Sequence, residues 1–106
     1  MIRSIIRLNV ALGREREFEE TFQKRRVLER AKEAARLRTG ELLRPVLAGG
    51  DYIVVATWDT TADYQAWVDS PVRAELASMQ PRLSEPVAPA DLYEIVDRFG
   101  YPARER

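Results

Sequence analysis

The chain has 106 residues, with 17 Lys+Arg balanced by 17 Asp+Glu, so it fits one small domain of zero formal charge, without the basic face of a nucleic-acid module. It contains neither Cys nor His. This excludes disulfides, thiol nucleophiles, imidazole bases and the histidine- or thiolate-ligated metal and haem centres.

Ile2 to Val10 is rich in β-branched residues and reads as a strand. Its even positions (Ile2, Ser4, Ile6, Leu8, Val10) share one face, and Arg3, Ile5, Arg7 and Asn9 share the other. Both faces carry apolar residues, so both are expected to be covered. Arg3, Arg7 and Asn9 interrupt this opening, so it reads as neither a signal peptide nor a membrane span, and cytoplasmic residence is expected. Arg14 to about Arg36 has no Gly or Pro and reads as one helix, with Phe18, Phe22, Val27, Leu28, Ala31 and Ala35 on its apolar side. Arg25 lies near that stripe. It either snorkels at the stripe's edge or reaches a pocket between helix and sheet.

Leu37 to Ala48 reads as a second strand, and Tyr52 to Trp58 (YIVVATW) as a third. Gly49-Gly50-Asp51 turns between them, giving an antiparallel hairpin. Thr60 or Thr61 caps a helix with Tyr64, Trp67 and Val68 on its apolar side. Ser70 caps the next, from about Val72 to Gln80. Arg82 to Ala90, with Pro86 and Pro89, reads as a loop, and Leu92 to Phe99 as the last strand. Residues 1–100 form the domain and 101–106 a polar tail. The order βαββααβ is that of a ferredoxin-like α+β fold with a four-stranded antiparallel sheet. Helices on one side leave the other side bare, and the simplest cover for it is a second copy of the chain, so a homodimer is expected.

Chemistry belongs in a pocket between helices and sheet. Asn9, an amide near the end of an apolar strand, is either a strand-end amide bonded to a loop or a donor aimed at a ligand oxygen. Trp58, Tyr64 and Trp67 make an aromatic wall suited to a flat ring system, with a phenol and an indole N–H as polar handles, although a simple helix-to-sheet core would look much the same. No dinucleotide or phosphate-binding glycine loop is present.

The stretches GREREFEETF, LLRPV, DYIVVATWDTTADYQAW and SPVRAEL, and above all W-(x)5-Y-(x)2-W-(x)2-S from Trp58 to Ser70, resemble the antibiotic biosynthesis monooxygenase family over about residues 1 to 98. The resemblance implies a dimeric α+β barrel. Haem-degrading relatives carry an Asn on the first strand, a Trp ending the third and a His on a later helix. Asn9 and Trp58 match the first two, but the His position falls near Ala77, so no axial histidine is available. Cofactor-independent oxygenases of aromatic polyketide pathways form a second branch, some with an Asn-Trp pair matching Asn9 and Trp58. Others carry an Asn inside the third strand and an Arg on a later helix, where this chain has Val54 and roughly Ala77.

The resemblance therefore implies a monooxygenase that needs no cofactor and no metal, and that oxidises an anthrone-like phenolic substrate with O2 to a quinone. Asn9 and Trp58 would be catalytic, and Arg25, Tyr64 and Trp67 would bind substrate. A polyketide cyclase on the same barrel, or a non-catalytic barrel binding a small hydrophobic ligand, are the alternatives.

Overall fold

The computed structural model describes residues 1–79 and 83–100. The polar tail, and the end of the helix at Gln80, lie outside the described residues. Nine elements follow one another: β1 (Ile2–Val10), α1 (Glu15–Lys24), α2 (Val27–Ala35), β2 (Thr39–Leu43), β3 (Tyr52–Trp58), α3 (Thr61–Val68), α4 (Pro71–Met79), β4 (Ser84–Pro86) and β5 (Asp91–Glu94). All strand pairs are antiparallel, in the order β2-β3-β1-β4, with β5 also on β1. This is the ferredoxin-like α+β arrangement, with helices on one face.

Strand alternation sets the layers. Ile2, Ser4, Ile6, Leu8 and Val10 pair with Trp58, Ala56, Val54, Tyr52 and, on β4, Ser84, and these residues face the helices. Two apolar clusters fill the space beneath the helices. Ala31, Ala35, Leu37, Ala56 and Trp58 form one at the Ile2 end, and Phe18, Tyr52 and Leu83 form the other at the Val10 end. Gly40 lets the layers close, because a Cβ there would lie 2.9 Å from the Cδ2 atom of Leu28 on α2.

The helix expected over 14–36 is two helices. Arg26 breaks it, at φ 53° and ψ 46°. At 100° per residue, Phe18 and Phe22 point about 145° away from the mean direction of Val27, Leu28, Ala31 and Ala35. A straight helix would bury one stripe and expose the other, whereas a break buries both.

Three strand expectations also change. The second strand stops at Leu43 rather than Ala48. Pro45 lacks an N–H for the ladder, and Arg44 turns out to pair with Glu19. The stretch 82–90, expected as a loop, contains β4, whose entry is anchored by fully buried Leu83 and by Ala11 N–H donating to the Leu83 carbonyl at 2.7 Å. The last strand ends at Glu94 rather than Phe99. The Ile95 N–H donates to the Met1 carbonyl at 3.0 Å just beyond that end. The expected four strands are thus five, two of them sharing one edge of β1.

Candidate functional site

Two hollows matter. The first lies between helices and sheet at the Ile2 end and holds about 70 Å³. Its walls are Ser4, Ile6, Val54, Ala56 and Trp58 from the sheet, Val27, Leu28 and Ala31 from α2, Leu37 just beyond it, Tyr64 and Trp67 from α3, Arg73 from α4, and Ala90. Apart from Arg73, none of these side chains is charged.

Local chemistry fixes each wall. Trp58 is 1 % exposed, and its indole Nε1–H donates to the Ser4 hydroxyl at 3.0 Å. That bond satisfies the indole and holds its plane, so Trp58 contributes a face and not a donor. The Tyr64 ring meets it edge-on, with centroids 5.8 Å apart and planes at 75°. Tyr64 and Trp67 are three residues apart on α3, one helical face. The Thr60 hydroxyl starts that helix by accepting the Asp63 N–H at 3.1 Å. Ser70 starts α4 the same way, accepting the Val72 N–H at 3.1 Å. Arg73 follows one turn into α4, on the side of buried Leu76 three residues later.

The second hollow, at the Val10 end, is an open cleft of about 730 Å³ between α1 and the β2–β3 loop, lined among others by Asn9, Leu12, Arg16, Glu19, Arg44 and Tyr52. The Glu19 carboxylate accepts from Arg44 Nε at 2.6 Å, Arg44 Nη2 at 2.8 Å and the Tyr52 hydroxyl at 2.5 Å. Hydrogen bonds from Arg44, then from Tyr52, hold its carboxyl at about 2, well below the usual carboxylate range. Burial, and then the bond to Glu19, raise the Tyr52 phenol. Volume favours this cleft as a ligand site, but chemistry does not. Its central carboxylate is consumed in tying the hairpin to α1, so the cluster reads as a structural latch.

The expected site residues divide between these places. Trp58, Tyr64 and Trp67 come together in the small cavity. Asn9 does not join them. Trp58 pairs with Ile2, seven residues or about 23 Å along β1 from Asn9, and alternation points the Asn9 side chain to the opposite face of the sheet. Arg25 does not line the cavity either. Its Nη1 donates to the Leu76 carbonyl at 3.4 Å, joining α1 to α4.

Two residues of the cavity were missed in the sequence. Ser4 is a polar residue on an otherwise apolar strand face, and Arg73 shares the face of Leu76. Those two spacings were the available signals. Among the described residues no three His, Cys, Asp or Glu side chains gather as metal ligands, and no helix is long and apolar enough to cross a membrane.

The fold and this cavity define a ferredoxin-like α+β domain with an aromatic-walled pocket between its layers. The sequence profile of the family described as antibiotic biosynthesis monooxygenase matches residues 1–77. The chain belongs to that family. Among solved structures, the haem-degrader MhuD from Mycobacterium tuberculosis, with two haems bound in its active site, is 26 % identical with a TM-score of 0.77, over 94 % of this chain and all of that one. SnoaB, a cofactor-independent oxygenase from Streptomyces nogalater, is 18 % identical with a TM-score of 0.74, over 94 % of this chain and 97 % of that one. At that identity SnoaB speaks for the fold alone. No curated protein matches the sequence.

Histidine or thiolate ligation of a haem does not fit, because the chain has no His and no Cys, and the phenol of Tyr64 is the haem-ligating side-chain type among the described cavity walls.

Proposed function

We propose that this protein is a cofactor-independent monooxygenase that oxidises an acidic, electron-rich aromatic compound of the anthrone type to a quinone with O2. The observation that carries this reading is the cavity itself: three aromatic side chains around an apolar space with a guanidinium as its one charge. The general oxygenase chemistry of the family supports it.

Among the described residues the cavity has no carboxylate or imidazole to act as a strong base. The substrate therefore arrives ionised, as a phenolate or enolate, and Arg73 and the Tyr64 hydroxyl hold its oxygen. Trp58 and Trp67 flank the ring and keep water away. The bound anion gives one electron to O2, and the radical pair joins as a carbon–oxygen bond. The resulting peroxide takes up a proton and loses water, so a CH2 group and O2 become C=O and H2O. One oxygen atom enters the product and the substrate supplies every electron.

Asn9 and Arg25 have no part in this version. Asn9 bounds the other cleft, and Arg25 steadies the joint between α1 and α4. We further infer that the working unit is a homodimer, with the helix-free face of the sheet covered by a second copy.

The test is oxygen uptake by metal-free protein supplied with a hydroxylated anthrone. Arg73→Met and Tyr64→Phe are each expected to slow turnover about tenfold or more, while Asn9→Ala leaves it unchanged. Wild-type rates in both cavity variants would remove these residues from the reaction. A hydroxyanthraquinone that binds in the cavity, with no O2 consumed, would favour the binding barrel instead.

A further inference from the structure

The cavity is too small for any ligand that the proposed chemistry could use. At about 70 Å³ it falls below the roughly 150 Å³ that houses a single benzene ring. Pockets for larger molecules run about 300–1,000 Å³. To enclose such a ligand a wall would have to move, and the walls are not equally fixed. The floor is β1 and β3, hydrogen-bonded along their length. The helices α3 and α4 begin on side-chain caps from Thr60 and Ser70.

The helix α2 is held differently. It has no side-chain cap at its N-terminus, and its fully buried residues are only Ala31 and Ala35. It lies between two left-handed junctions, Arg26 at φ 53° and Arg36 at φ 66°, the only non-glycine residues with positive φ among those described. A residue with a Cβ adopts that conformation only at a cost, and both arginines are exposed, each held by a backbone N–H bond at 3.0 Å, Arg26 to the Gln23 carbonyl and Arg36 to that of Lys32. Its Leu28 rests over the bare backbone of Gly40.

We propose that α2 is a hinged roof, turning about Arg26 and Arg36, and that its lifting sets which ligands enter the aromatic cavity. The inference rests on the reading above for the identity of the site, though not for its chemistry. Opening lets both arginines leave the left-handed region, so backbone strain offsets part of the cost of exposing the small α2 face. Selectivity then belongs to the roof: a flat, rigid ligand slides in under a lifted helix, and a bulky one holds it open to water.

The chain supplies its own probe. It has two tryptophans, and both line this cavity, Trp58 buried and Trp67 half-buried, so emission excited where the tyrosines do not absorb reports on these walls. Acrylamide quenching then measures opening with no ligand present. In the double variant Arg26→Gly, Arg36→Gly the closed state is no longer strained, and quenching is expected to fall roughly threefold while the melting temperature rises.

Gly40→Ala acts in the opposite sense, wedging a methyl group under Leu28, and is expected to raise quenching roughly threefold. A double-glycine variant that melts higher but quenches like wild type would overturn the roof, since the strain would then sit in a static helix. The double variant decides this by itself, even if Gly40→Ala fails to fold. Responsive quenching with no oxygen uptake would remove the monooxygenase reading and leave the roof in place. Oxygen uptake with quenching unchanged in the double variant would do the reverse.

Discussion

At position 19 a carboxylate gathers two hydrogen bonds from Arg44 and one from Tyr52, joining α1 to the strand and loop of the hairpin. Its folded value of about 2 lies below the roughly 4.3 of an unfolded glutamate. A depressed carboxyl stabilises the fold above its unfolded value and loses that contribution as pH falls through its folded one. Thermal melts should therefore drop between about pH 5 and pH 2, and Glu19→Gln should melt lower at neutral pH yet fall less on acidification. Because the Arg44 side chain is 69 % exposed, solvent screening makes the effect smaller than the shift alone implies. An acid limb equally steep in wild type and variant would locate the titrating group elsewhere. None of this was legible in the sequence. Glu19 is one of several glutamates on a charged helix, and its partners lie 25 and 33 positions away. The aromatic wall could be read because Tyr64 and Trp67 sit three apart on one helix. Asn9 and Trp58 mislead because pairing them needs the strand register, which neither residue announces.

Elements were more legible than their ends. The YIVVATW strand, the hairpin and the Thr60 and Ser70 caps follow from local chemistry, and local chemistry is what the chain displays. The break between α1 and α2 has no glycine or proline to mark it. Its signature is the rotation between two apolar stripes, visible only once the angles are compared. The short β4 and β5 depend on how far β1 extends as their partner, a non-local matter. Among these elements α3 carries two of the cavity's walls from a single cap. Thr60→Ala should cost roughly 1 kcal/mol, or about 4–8 °C in a domain of this size. Tryptophan emission should shift to the red as Trp67 loosens. A melt displaced without any spectral change would mean that α3 is held by its packing and not by its start.

The whole molecule has one face left to explain. On the side away from the helices, β1 presents Ile5 between Arg3 and Arg7, and β3 presents Ile53 and Val55, all three apolar side chains half-buried, while Thr57 on the same face is already buried within the chain. Past β5 the chain continues with Val96 and Phe99 almost fully exposed. A second copy related by a two-fold axis would cover such a face with an identical one. The charges then decide the register, since Arg7 needs an acid opposite it, and Glu41 and Asp91 on the flanking strands share its face. In light scattering the protein should weigh twice its 12.2 kDa chain mass. Val55→Asp places an unpaired charge at the centre of that interface without touching the cavity, where the side chains of β3 alternate to Val54 and Ala56. It should give a folded monomer with the far-ultraviolet spectrum of the parent. If oxygen uptake survives in that monomer, the cavity is complete within one chain and dimerisation serves stability. If uptake is lost while the fold persists, activity depends on the second copy. A wild-type mass of a single chain would leave an apolar sheet face in water, and the packing argument for the dimer would fail with it.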